Sequence, residues 1–360
     1  MEKRKTLSIE EIDKNMAVDK EINKEGLRFF SMEDEPCVIY GGLKRGEDGR
    51  IYRLPIDVAE RTSKGVLGLC ANTAGGRVRF RTDSVRIAII AKYASVAVMP
   101  HFAMTGSIGL DLYADDIFVG AFIPPISMPN KAYESILTIR EEQCERDITI
   151  DLPIYSDLIE LYIGIDEGAT LKAPTPYKHE KPIVYYGSSV TQGGCASRPG
   201  TTYQAYLTRW LDCDHINLGF SGSARAEESI VEYMASIENM GIFVSDYDHN
   251  SPSAAYLDAT HMPLYRKIRE KNPDLPIVIF ERTTRDYDHE DVLRREVTKR
   301  TFDIAISEGD KNIYYVKPLD VIPFMAEEGT VDRIHPTDLD FYFMAKALEP
   351  TLREILNKNV

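Results

Sequence analysis

Cysteine is sparse and scattered in this chain. Cys37, Cys70, Cys144, Cys195 and Cys213 are odd in number, and no two stand in a Cys-x-x-Cys spacing. That usage argues against a disulfide framework or a thiolate zinc site and fits a reduced, cytoplasmic protein. Long apolar runs are missing too: no window approaches the roughly 20 residues that a membrane-spanning helix needs. The basic opening Met1-Glu2-Lys3-Arg4-Lys5 runs on to Glu10-Glu11 without the apolar core of a signal peptide. Positive charge is in deficit, with 43 Lys+Arg against 57 Asp+Glu for a formal charge of -14. Such a chain repels phosphate backbones and anionic lipid, so neither nucleic acid nor a membrane is an expected partner. There is no His-Glu-x-x-His, no P-loop and no complete dinucleotide fingerprint, so no metal or nucleotide cofactor is required.

What is present divides into two textures. A length of 360 residues favours two domains, because hydrophobic cores stop growing well below that size. After an N-terminal extension over residues 1–26, residues 27–173 read as short alternating segments such as Arg77-Val78-Arg79-Phe80-Arg81 and Asp147-Ile148-Thr149-Ile150-Asp151-Leu152. Period-two alternation broken by Gly, Asp, Asn and Pro predicts an antiparallel β-sandwich. Residues 174–182, with three prolines and no periodicity, read as a linker. From 183 to 360, apolar runs at Ile183–Tyr186, His215–Leu218, Ile242–Ser245, Pro276–Phe280 and Asn312–Val316 alternate with segments of helical length at Thr202–Leu211, Glu227–Met240, Ser253–Lys271 and Glu290–Glu308. That alternation predicts a five-stranded parallel sheet with helices on both faces.

The chemistry concentrates at the ends of these predicted strands. Gly187-Ser188-Ser189-Val190-Thr191-Gln192-Gly193-Gly194 follows the first strand, where an α/β hydrolase exposes its nucleophile; an ordinary turn uses the same residue types. Nucleophilic acyl transfer also needs a base, a group to orient that base, and donors for the developing oxyanion. Asp332-Arg333-Ile334-His335-Pro336 offers a carboxylate three residues before an imidazole, a spacing also typical of a helix cap beside a surface histidine. Gly222 follows the second strand and Asn250 the third, and each has a conformational or capping reading besides an oxyanion one.

Taken in order, the Gly-x-Ser-x-Thr-Gln-Gly turn, the Gly after strand two, the Asn after strand three and the terminal Asp-x-x-His-Pro resemble the GDSL/SGNH hydrolases over residues 181–360. The resemblance implies a flavodoxin-like three-layer domain with Ser189 as nucleophile, His335 as base and Asp332 as its orienting partner. It implies an oxyanion hole formed by the Ser189 N–H, Gly222 and Asn250. Two departures stand out: Ser188 occupies the Asp position of the Gly-Asp-Ser element, and Asp248-His249-Asn250-Ser251 keeps only the asparagine of the third motif. Upstream, Gly109-Leu110-Asp111-Leu112-Tyr113 resembles the Gly-x-Asp-Leu-Tyr motif of a jelly-roll-like module found before some SGNH-type esterases, in which Asp111 and Tyr113 are expected to be structural.

These readings predict a cofactor-independent carboxylic ester hydrolase acting on small, foremost acetyl, esters of carbohydrates. A small-molecule or oligosaccharide acyl ester is the expected partner, and a homo-oligomer is compatible with the sequence. The same triad would serve a lipid or thioester acylhydrolase, and a glycan-binding protein without catalysis is a third reading. Arg198, on the loop beyond the nucleophile, is a candidate substrate contact, and His249 is of interest as the neighbour of Asn250. Cys195 and the other histidines, His101 included, carry no comparable constellation.

Overall fold

The computed structural model describes residues 9–18, 21–139, 143–321 and 328–358. Residues 1–8 and 19–20 of the expected N-terminal extension therefore lie outside the described part. The first half forms strands β1 (Leu27–Ser31), β2 (Val38–Tyr40), β3 (Lys44–Arg45), β4 (Ile51–Tyr52), β5 (Arg77–Thr82), β6 (Arg86–Ser95), β7 (Leu110–Ala114), β8 (Ile117–Phe122), β9 (Ala132–Thr138), β10 (Arg146–Asp151) and β11 (Asp157–Asp166). They pair as a four-stranded sheet β1-β11-β6-β9 and a five-stranded sheet β2-β5-β10-β7-β8, with β3 and β4 as a small separate pair. All the pairings are antiparallel. Val78, Phe80, Ile148 and Ile150 of one sheet meet Ile87, Ile89, Leu161 and Ile163 of the other in a single apolar core. The alternating period is thus the inward face of a sandwich.

The second half is a parallel sheet of β12 (His179–Gly187), β13 (Cys213–Gly219), β14 (Ile242–Asp246), β15 (Ile277–Phe280) and β16 (Ile313–Val316), in the order β13-β12-β14-β15-β16. The first strand β12 lies between β13 and β14, so the chain reverses its direction of travel across the sheet at the carboxyl end of β12. Open α/β sheets bind their ligands at such a switch point. Along β12 alternate side chains serve opposite faces: Ile183 and Tyr185 pack with the helices Tyr203–Leu211 and Asp338–Lys358, Val184 and Tyr186 with Glu228–Ala235 and Ala254–Lys271.

Two expectations shift. β12 begins at His179, inside the expected linker, because the His179 N–H bonds Asp212 O at 3.0 Å and its backbone pairs with Cys213 at the start of β13. The helix expected over Glu227–Met240 ends at Ala235, and Asn239 then takes a left-handed φ of 58°, a conformation that asparagine tolerates and a helix does not.

The halves share a core. Val58, Ala59 and Val66, from the short helices Ile56–Thr62 and Lys64–Leu69 of the first half, pack into the same cluster as Val184, Tyr186 and Phe243. β13 is the edge of the parallel sheet, and the sandwich covers it. The Arg53 guanidinium, 1 % exposed, donates to Asn217 O at 3.0 Å and Gly219 O at 2.7 Å and lies over the Phe220 ring. At the other end of the strand Arg77 pairs with Asp214 and reaches the His215 ring. Carbonyls that an uncovered edge would leave unpaired are thus satisfied across the domain boundary.

Candidate active site

Gly187 ends β12 and Ser189 opens a one-turn helix, Ser189–Gln192. Ser188, in the position where the family carries Asp, caps that turn by accepting the Val190 N–H at 3.2 Å. A serine hydroxyl is a strong N-cap, so the departure leaves the turn supported locally. Below it, Thr191 Oγ1 donates to Asp246 Oδ2 at 2.7 Å, and Asn217 Nδ2 and Gln204 Nε2 each donate to Thr191 O at 2.7 Å.

Ser189 is 6 % exposed, and its Oγ lies 2.9 Å from His335 Nε2. His335 Nδ1 lies 2.7 Å from Asp332 Oδ2. The other carboxylate oxygen of Asp332 accepts the N–H groups of His335 at 2.8 Å and Ile334 at 3.1 Å. The Asp-x-x-His spacing is therefore a side-chain-to-backbone turn in a loop closed by Val331 N–H to His335 O at 2.9 Å, while the helix begins later, at Asp338. One carboxylate folds its own loop and orients the imidazole. Partial burial pushes the Asp332 carboxyl up, but the His335 and Ile334 N–H groups and the ring N–H outweigh it and hold the group below its usual range.

The candidate oxyanion donors lie on two loops that the Ala224–Asn250 contact joins. Gly222 has a φ of 65°, a left-handed conformation in which glycine carries no steric penalty. Phe220 N–H bonds Gly187 O at 2.9 Å, which ties this loop to the nucleophile turn. Asn250 Oδ1 accepts the Ala224 N–H at 3.4 Å, leaving the Nδ2 end of the amide as the donor. Neither the Gly222 N–H nor Asn250 Nδ2 has a partner among the described residues.

Arg198 reaches into the first domain. Its NH1 donates to Asp111 Oδ2 at 2.8 Å and to the Tyr113 hydroxyl at 2.6 Å, and its guanidinium lies 3.8 Å from the centre of the Phe118 ring. Those contacts engage one nitrogen and one face of the guanidinium and give the Gly-x-Asp-Leu-Tyr motif a cross-domain contact. His249 is buried against Asp248, with its Nε2 3.6 Å from Oδ1, and Arg282 lies on the other oxygen of Asp248. Burial holds the His249 imidazole below its ordinary range.

Three contributors were not singled out from sequence. Gln192 donates to Asn72 Oδ1 at 3.0 Å in the sandwich and accepts the Ser221 N–H at 3.0 Å, joining the nucleophile turn, the Gly222 loop and the first domain. Tyr155 places its hydroxyl 3.5 Å from Ser189 O, and the exposed His101 ring lies 6.1 Å from that of His335. The first domain therefore forms one wall of the site. A cavity of about 860 Å³ lined by Lys178, Lys181 and Lys271 lies at the opposite, amino ends of the strands.

Asp246 supplies a pH dependence. Burial pushes its carboxyl up to about 8, with Asp248 adding to the effect, while the Thr191 and Tyr203 hydroxyls oppose it. The ordinary value is 3.8, so between 3.8 and about 8 the unfolded chain releases a proton that the folded protein keeps. The stability that this group contributes is complete below 3.8 and is lost as pH rises through about 8. Melting temperatures measured from pH 5 to 9 should fall and then level off, and Asp246→Asn should flatten the fall; an unchanged slope in the variant would contradict the assignment.

Residues 180–353 match the model of the GDSL-like lipase/acylhydrolase family, and residues 27–171 match GxDLY, the N-terminus of SGNH-hydrolase-type esterases. No curated protein matches the chain significantly. Among solved structures, a GDSL-like lipase from Bacteroides ovatus is 28 % identical, with a TM-score of 0.81 over 92 % of this chain and 98 % of that one. The salicylyl-acyltransferase SsfX3 of a tetracycline biosynthetic pathway is 20 % identical, with a TM-score of 0.74 over 93 % and 98 % of the two chains. A family two carbohydrate esterase from Cellvibrio japonicus shares the fold at 13 % identity, with a TM-score of 0.62 over 92 % and 98 %. With both halves matched, the chain belongs to the GDSL/SGNH hydrolases that carry an N-terminal GxDLY module.

Proposed function

We propose that this protein is a serine esterase that removes small acyl groups, acetyl foremost, from carbohydrate hydroxyls. The observation that carries the reading is the relay from Ser189 Oγ through His335 to Asp332, at 2.9 and 2.7 Å. His335 takes the Ser189 proton as Oγ attacks the ester carbonyl. The oxyanion then meets the N–H groups of Ser189 and Gly222 and the Asn250 amide. Collapse of the tetrahedral intermediate passes the proton from His335 to the leaving alkoxide, leaving an acyl-enzyme on Ser189. Water, deprotonated by the same imidazole, releases the acid. Activity falls at low pH because a protonated imidazole cannot act as base.

The carbohydrate acceptor draws support from the likeness to the carbohydrate esterase. The test is turnover of p-nitrophenyl acetate, butyrate and octanoate together with acetate release from acetylated oligosaccharides. Acetate should be the best acyl group; preference for octanoate would point to a lipid acylhydrolase. Asn250→Ala should lower kcat by on the order of 10²–10³ with little change in KM, the usual cost of one oxyanion donor. An unchanged kcat would remove Asn250 from the oxyanion hole.

A further inference from the structure

The loop after the nucleophile turn, residues 195–201, is held from both sides. On the sandwich side Asp111 Oδ2 accepts Arg198 NH1 and the Gly200 N–H, both at 2.8 Å, while Arg209 of the helix Tyr203–Leu211 caps Gly200 O at 2.7 Å. The fit at Gly200 is close: a Cβ there would lie 2.4 Å from the Tyr113 hydroxyl and 2.6 Å from Asp111 Oδ2. Thr105 Oγ1, also from the sandwich, donates to Ser197 O. On the other side the same loop grips Asp338. The Ser197 N–H reaches Asp338 Oδ1 at 2.8 Å, Thr201 Oγ1 reaches it at 2.6 Å, and Ser197 Oγ bonds Oδ2. Asp338 is the first residue of the last helix and lies three positions after His335. The backbone between them is short and carries Pro336, and Thr337 N–H bonds Gly329 O at 2.7 Å, so little slack separates a fixed Asp338 from the imidazole.

We infer that the Gly-x-Asp-Leu-Tyr motif is a positioning device for the base: Asp111 and Tyr113 lock loop 195–201 through Arg198, and the loop locks Asp338 and with it His335. The inference rests on reading Ser189 and His335 as nucleophile and base. None of the clamp residues is assigned a contact with the reacting atoms. A base displaced by a fraction of an ångström from Ser189 Oγ loses rate without losing substrate, since misplacements of about 1 Å cost on the order of 10²-fold.

The experiment compares Asp111→Asn and Asp338→Asn with the unaltered full-length protein, using the rate of Ser189 labelling by a fluorophosphonate and the kinetics and pH profile of p-nitrophenyl acetate hydrolysis. The expected result is a fall of about tenfold or more in kcat and in labelling rate, KM changed by less than about twofold, and a displaced acid limb of the pH profile. The two substitutions should combine less than additively, because they act on one chain of contacts. Asp214→Asn, which weakens the Arg77 contact at the far end of β13, is the control for loosened domain docking and should lower Tm while leaving labelling unchanged. If neither clamp variant folds, Ser197→Ala and Thr201→Val, each removing one hydroxyl bond to Asp338, decide the matter with the same readouts. Folded clamp variants that label and turn over at the unaltered rate overturn the inference. Ser189→Ala separates this failure from a failure of the site reading: persistent labelling in that variant would overturn the nucleophile assignment, whereas its loss alongside normal clamp variants overturns the positioning role alone.

Discussion

Ser189→Ala is expected to reduce hydrolysis of p-nitrophenyl acetate by on the order of 10⁴-fold or more and to abolish fluorophosphonate labelling. The size follows from the mechanism, in which a covalent intermediate needs an atom that alanine lacks. The variant should keep its fold, because among the described residues Ser189 Oγ bonds only His335, while the turn is held by Ser188, Thr191 and Gln192. Circular dichroism and Tm close to those of the unaltered protein, together with lost turnover, would separate chemistry from stability. Equal rates for the two proteins would remove Ser189 from the reaction. Ser188→Ala is the informative companion: it removes a cap worth about 1 kcal/mol and should leave most of the activity.

The second large effect is expected at the base. His335→Ala should cost nearly as much as Ser189→Ala, and the double variant should be scarcely worse than either, since nucleophile and base act as one unit. Asp332→Asn should cost less, up to about 10⁴-fold, by favouring the imidazole tautomer that cannot accept the serine proton. The Asp332 side chain is 43 % exposed, so water can take over part of its role, which places the loss below that of a buried orienting acid. Asparagine retains an oxygen for the His335 and Ile334 N–H groups, so the loop should survive the exchange. Steady-state kinetics on p-nitrophenyl acetate across pH 5–9 would read all three variants; additive losses in the double variant would contradict the relay.

Much of this arrangement is legible along the chain where its causes are local. The helices Tyr203–Leu211 and Ala254–Lys271 start where Thr202 and Ser253 accept N–H bonds from Ala205 and Tyr256, close to where the apolar period begins. The serine turn and the Asp332 loop are likewise compact motifs, and so both sides of the relay can be read before folding brings them together across 146 positions. The Asp111 partner of Arg198 is not legible, because an arginine near a nucleophile has the same local sequence whether it meets a substrate or a partner 87 residues away. Gln192 is silent for the same reason, its acceptor Asn72 being 120 residues distant in another domain. His101 carries no motif at all, and only the packing of the sandwich against the sheet brings it beside His335. Local chemistry fixes caps and turns; which surfaces meet is decided by burial summed over the whole chain.

The sandwich's cover over β13 has a bearing on how such a protein can change over generations. Because Val58, Val66 and Arg53 complete the interior and the edge of the neighbouring sheet, a gene fusion that joined this hydrolase half to a different leading module would inherit an unfinished sheet. The two halves are thus bound to vary as a pair. A substitution at Phe220 or Gly219 should be followed by compensating change around Arg53, and shuffling at residues 174–178 should fail where exchanging both halves together succeeds.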